Sequence, residues 1–98
     1  MPVIQFTHSA ERDVLELWLN VAEENPTAAD QTVDIIYSTL SLISSQLEMG
    51  RLRPELAAGV RSFPSKTPYI IFYTSNENSL LVVRILHHAR DIDTEYFS

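Results

Sequence analysis

Apolar and polar positions follow two different periods along this chain. Val3-Ile4-Gln5-Phe6 is short and β-leaning, and predicts a strand that joins a later hairpin by non-local pairing. A helical period follows, with Ser9 read as the N-cap and Glu11 and Asp13 in a first turn whose dipole favours negative charge. Val14, Leu15, Leu17, Trp18, Leu19, Val21 and Ala22 cover more than one stripe, so this helix is expected to be contacted on two sides, with Trp18 as core or a partner contact. Asn25-Pro26 breaks the pattern and opens a second helix. There Ala29, Val33, Ile36, Leu40, Ile43 and Leu47 step by threes and fours along one face, Ile35 and Leu42 widen it, and Met49-Gly50 ends it with Gly50 in the left-handed position.

From Arg51 to Gly59 the chain reads as a connector, followed by a short strand over Val60–Phe63. Two runs rich in Ile, Val, Tyr and Phe, Pro68–Thr74 and Leu80–Leu86, flank the polar stretch Ser75–Ser79 and predict an antiparallel hairpin. The expected fold is α+β: an N-terminal strand, a helical hairpin, then a three-stranded antiparallel meander forming one sheet covered on one face by the helices. Both parities are apolar in Tyr69–Tyr73 and Leu80–Val83, so both faces of the sheet carry hydrophobic side chains. The face away from the helices is either a shallow second core closed by loops or a partner site, and an apolar patch on a small protein favours the second.

Length and composition narrow the class. The 98 residues fit a single domain over residues 1–98, and 45% hydrophobic content with two glycines and five prolines argues against disorder. Cysteine is absent, which excludes disulfides and thiol chemistry. No signal-peptide pattern opens the chain and no run is apolar enough to span a membrane, so a cytoplasmic location is expected. The formal charge of −6 opposes direct binding to nucleic acid. After Arg12 no cation occurs until Arg51, and Arg51, Arg53, Arg61, Lys66, Arg84 and Arg90 all lie in the second half.

The pattern Tyr69, Ile71, Tyr73, a short polar turn, then Leu81, Val83, Arg84, Ile85, Leu86, His87, Ala89, Arg90 and Asp91 resembles the C-terminal half of the ParE toxins of the RelE/ParE superfamily. Gly50-Arg51, Pro54-Glu55-Leu56, Gly59-Val60-Arg61 and Asn25-Pro26 extend the resemblance over nearly the whole chain. It implies the toxin of a type II toxin-antitoxin system. Such a toxin inhibits DNA gyrase by binding, and a cognate ParD-like antitoxin, of ribbon-helix-helix type, neutralises it in a hetero-oligomer. The family's toxins tend to be basic, and the acidity here departs from that pattern. The rivals are a RelE-like ribosome-dependent mRNA endonuclease and a degenerate member that only binds its antitoxin.

Candidate chemistry gathers at the exit of the hairpin. His87-His88 with Asp91 and Asp93 has metal-ligand composition, but adjacent strand residues point to opposite faces, and no metal or other cofactor is expected. A metal-free nuclease needs a base, an acid and a cation for the phosphorane, for which the candidates are Arg61, Arg84, His87 and Tyr96. Against it, Arg84 and His87 have opposite strand parity. The residues expected to meet target or antitoxin are Trp18, Tyr69, Phe72, Tyr73, Arg84, His87, Arg90, Asp91, Tyr96 and Phe97.

Overall fold

The break at Asn25-Pro26 separates two helices, α1 (His8–Ala22) and α2 (Pro26–Ser45), in a computed structural model that describes residues 2–98. Asn25 caps α2, its side-chain oxygen accepting the Ala28 N–H at 3.1 Å, and Pro26 sits where a missing N–H breaks no bond. The cap of α1 is Thr7 rather than Ser9, which already lies inside the helix. The Thr7 hydroxyl accepts the Ala10 N–H at 3.1 Å and donates to the Val83 carbonyl at 2.9 Å, so one side chain both starts the helix and ties it to the sheet. Asp13 therefore lies two residues further into the helix than expected, and it is buried.

Five strands, β1 (Val3–Phe6), β2 (Arg51–Leu52), β3 (Arg61–Pro64), β4 (Tyr69–Asn76) and β5 (Ser79–His87), form one sheet in the order β1-β5-β4-β3-β2. The α+β class and the meander β3-β4-β5 hold, but the meander is only the middle of a mixed sheet. β1 pairs with β5 in parallel, a geometry for which the helical hairpin supplies part of the long crossover. At the opposite edge, two residues of the expected connector, Arg51 and Leu52, pair antiparallel with Ser62 and Arg61.

The β4–β5 register shifts between Phe72 and Tyr73: Phe72 faces Arg84 while Tyr73 faces Val82, leaving Val83 as the extra residue of a bulge. Its effect on the faces is direct. Leu80 and Val82 are followed by Ile85, not residue 84, in the core beneath the helices. Strict alternation would have pushed the Arg84 guanidinium into that core. β1 covers only the first half of β5, and α1 seals the rest of the edge, with Thr7 on Val83 and the Asp13 carboxylate accepting the Ile85 N–H at 3.0 Å.

Ala10 and Leu17 of α1 and Ile36, Leu40 and Ile43 of α2 pack on Ile71, Tyr73, Leu80, Val82 and Ile85, with Val33 and Leu47 partly buried around them. Ile35 and Leu42 do not widen this face; they lie on the outer flank of α2, 37% and 52% exposed. The helix also ends earlier than expected, at Ser45, and Gly50 is not left-handed. Gly50 is instead a place of close approach. Its N–H donates to the Tyr73 hydroxyl at 2.8 Å, that hydroxyl donates to the Leu47 carbonyl at 2.9 Å, and a Cβ at Gly50 would lie 2.6 Å from the phenol oxygen.

The second face of the sheet is closed, contrary to the reading that favoured an open partner site. Leu56, Val60, Phe72 and Leu86 form a second core, covered by the 53–60 loop and by Ile92, Tyr96 and Phe97 of the C-terminal segment, which ends in a 3₁₀ turn over Thr94–Phe97. The apolar residues of Leu56–Val60 and of Ile92–Phe97 are too sparse to show a period, yet they suffice to lid a sheet face of this size.

Candidate binding surface

The exit of the β4–β5 hairpin carries the residues singled out from the sequence, and the structure sorts them onto different surfaces. His87 faces Tyr69 across the last rung of the ladder, ring edge to ring face at 5.3 Å between centroids, and stacks on His88 at 4.8 Å. Its Nδ1 accepts the Ala89 N–H at 3.0 Å, so the proton of the neutral ring sits on Nε2. The Tyr69 and His87 rings, with Asp13, Glu16, Asn20 and Arg90, line a cleft of about 280 Å³ between α1 and the sheet end. Arg90 and Asp91 are exposed, and Trp18, half-buried on α1, donates its indole N–H to Asp30 at 2.9 Å.

Arg84 leaves the strand in another direction. Its Nε and Nη2 donate to the two carboxylate oxygens of Asp13 at 2.7 and 2.8 Å, and its Nη1 donates to the Tyr96 carbonyl at 3.2 Å. The guanidinium carbon also lies 5.2 Å from the centre of the Tyr96 ring. The hydrogen bond with Asp13 raises the Arg84 pKa above its ordinary value although burial acts the other way, so this cation is permanent. Arg61 is held elsewhere, donating to the Gly50 and Glu48 carbonyls at 2.8 and 3.2 Å. Of the four candidates for phosphodiester chemistry, then, only Arg84 and Tyr96 are brought together; His87 opens on the helix side of the sheet and Arg61 lies two strands away on β3.

Two of the expected contact residues are core. Phe72 and Tyr73 are 0% exposed, because neighbouring residues of a strand point to opposite faces and both faces of this sheet are covered, and burial pushes the Tyr73 phenol pKa above its ordinary value. Phe97 packs edge-on against Phe72 at 5.2 Å and is half-buried, as is Tyr96. No three His, Asp or Glu side chains among the described residues converge as metal ligands, and no helix among them is long and apolar enough to cross a membrane.

The open apolar surface lies on the helices instead. Leu15 and Leu19 are 59% and 50% exposed on α1, matching the second stripe seen in its sequence. On α2, Ile35 and Leu42 face β3. The signal for this pair was their offset from the buried stripe, with only the hydroxyls of Ser38 and Thr39 between them.

The model of the ParE toxin of the type II parDE toxin-antitoxin system matches residues 4–92. A solved structure of the chromosomal ParDE system from P. aeruginosa aligns with a TM-score of 0.74 at 20% identity, covering 89% of this chain and 96% of that one, and shows a shared fold. No protein of curated function matches the sequence. The family pattern thus runs from Ile4 to Ile92, through the helical hairpin, the meander and the Arg84–Asp91 exit, and the chain belongs to the ParE toxin family of type II toxin-antitoxin systems.

Proposed function

We propose that this chain is a toxin that acts by binding, with DNA gyrase as its target, and that a ParD-like antitoxin of ribbon-helix-helix type holds it silent in a hetero-oligomer. Family membership supports the toxin role, and the observation that favours binding over cutting is the engagement of the two candidate arginines. Arg84 is locked to a buried carboxylate and a carbonyl, and Arg61 to two carbonyls, so neither is free to meet a phosphorane. The negative net charge adds repulsion between this protein and RNA. The half-buried Tyr96 and Phe97 and the exposed Arg90 and Asp91 offer the target a mixed aromatic and charged surface near the C-terminus. An antitoxin interface of standard size would bury about 1,200–2,000 Å² in total.

Expression in a bacterial host tests the pair of roles together. Induced alone, the chain should arrest growth and relax plasmid supercoiling, and co-expression of the small protein encoded beside it should restore both. Arg90→Glu, which alters the exposed surface without entering either core, should weaken the arrest. Growth that continues normally would favour the degenerate, antitoxin-binding reading, and messenger RNA cut on translating ribosomes would favour the nuclease.

A further inference from the structure

The sheet has two edges, and only one is guarded. At the β2 edge the strand is two residues long, carries Arg51 and runs straight into Arg53 and Pro54, features that discourage another strand from pairing there. The β1 edge has none of them: residues 2–7 are uncharged, no proline lies inside the strand, and Val3 is 58% exposed. Its backbone is also half unused. The Val3 and Thr7 N–H groups donate to the Asn78 and Val82 carbonyls, each at 2.9 Å, so by alternation Val3, Gln5 and Thr7 face β5 while the N–H and C=O groups of Ile4 and Phe6 point away from it.

Those outward groups are complementary to themselves. An antiparallel copy of β1, with Ile4 opposite the partner's Phe6, exchanges both bonds at each of these pairs about a two-fold axis at Gln5. The side chains agree with this register. Ile4 and Phe6 lie on the helix side and would meet their like there, beside Tyr37, which is 47% exposed with its ring centroid 5.9 Å from that of Phe6. Two chains at −6 repel each other, but pairing through residues 2–7 sets no charged side chain of the strand against another. A strand lent by another protein would present a new free edge of its own, whereas two copies paired about the axis cover each other's and leave none on this side.

We propose that this chain forms a two-fold homodimer through β1, the two sheets joining antiparallel into one continuous sheet with Gln5 at its centre. The inference goes beyond the toxin reading and depends on neither the target nor the antitoxin.

The test uses the purified full chain. In analytical ultracentrifugation its mass should double as the concentration rises from about 1 µM to about 1 mM, the span in which a small interface pairs. Gln5 would face the partner's Gln5 in a non-hydrogen-bonded pair, where side chains come closest. Gln5→Lys and Gln5→Glu should therefore each weaken the dimer about tenfold or more by setting like charges opposite each other. Mixed in equal amounts, the two variants should pair with each other, a rescue that a folding defect would not allow. Leu52→Lys, at the guarded edge, should leave the dimer unchanged. Amide exchange reads the new bonds: the Ile4 and Phe6 N–H groups should slow as the dimer forms, while Gln5 is protected throughout. A chain that stays monomeric over the whole range, a dimer that Gln5→Lys leaves intact or Leu52→Lys dissolves, or two variants that fail to pair overturns the proposal. So does protection of the Ile4 and Phe6 amides only when the protein encoded beside this one is added, which would assign the edge to a strand of that partner.

Discussion

The two faces of the sheet are both dry, but they are closed by different means. On one, two helices bring Leu17, Ile36, Leu40 and Ile43 onto the strands, and the covering layer has its own backbone hydrogen bonds. On the other, a loop and a C-terminal segment lay Leu56, Ile92, Tyr96 and Phe97 over Phe72 and Leu86, with little regular structure of their own. Equal burial does not mean equal local stability, because a cover without its own ladder can lift without the rest unfolding. Arg84 joins the two covers, holding Asp13 of α1 with two nitrogens and the Tyr96 carbonyl with the third.

Removing that tie should have the largest effect. Asp13 is 5% exposed, so Arg84→Ala leaves a buried carboxylate with only the Ile85 N–H and should cost about 3–5 kcal/mol in urea unfolding. Arg84→Lys should recover only part of this, since an ammonium cannot hold both carboxylate oxygens and Tyr96 as the fork does. A loss below 1 kcal/mol, on the order of an exposed surface pair, would mean that the two covers are not coupled through Arg84.

The faces themselves are compared by Leu40→Ala and Phe97→Ala. Leu40 is 0% exposed in the middle of the helical layer, and its truncation should lower global stability by about 2–5 kcal/mol. Phe97, half-buried, should cost about 1–2 kcal/mol. Its signature is local: hydrogen exchange should speed up in residues 92–98 and 56–60 before the strands respond. Uniform acceleration across the sheet in Phe97→Ala would show that the second cover is not a separate unit.

A smaller effect is readable through pH. Burial raises the Tyr73 pKa above its ordinary 10.0, so the folded state keeps its phenol proton after the unfolded chain has begun to lose it. This contribution is fully present below about pH 10 and is lost as pH rises through the raised value. Wild type should therefore lose more stability between about pH 9 and 11 than Tyr73→Phe, which at neutral pH should be weaker by about 1 kcal/mol for the bonds to Leu47 and Gly50. Parallel pH curves for the two proteins would contradict the assignment.

What the sequence made legible follows from range. The Asn25-Pro26 break, the Ile36-Leu40-Ile43 stripe and the Tyr69–His87 hairpin are local patterns, and their reading holds apart from a shorter turn and an earlier helix end. The two-residue β2 has no period to detect. Asp13 and Arg84 are 71 residues apart, and nothing near either names the other. The bulge at Val83 has no residue signature, yet it decides which face Arg84 takes. For the same reason the surface on α2 was missed: Ile35 and Leu42 belong to a helical period, and only the placement of β3 shows that they lie outside the core.

The claim that this toxin binds rather than cuts is tested most directly by the supercoiling activity of DNA gyrase in the presence of the purified chain. The account predicts dose-dependent inhibition that His87→Ala and Tyr96→Phe leave within about threefold, a loss on the scale of a contact and not of a general acid or base. Unchanged supercoiling, together with ribosome-dependent messenger RNA cleavage that either substitution lowers about a hundredfold, would contradict it.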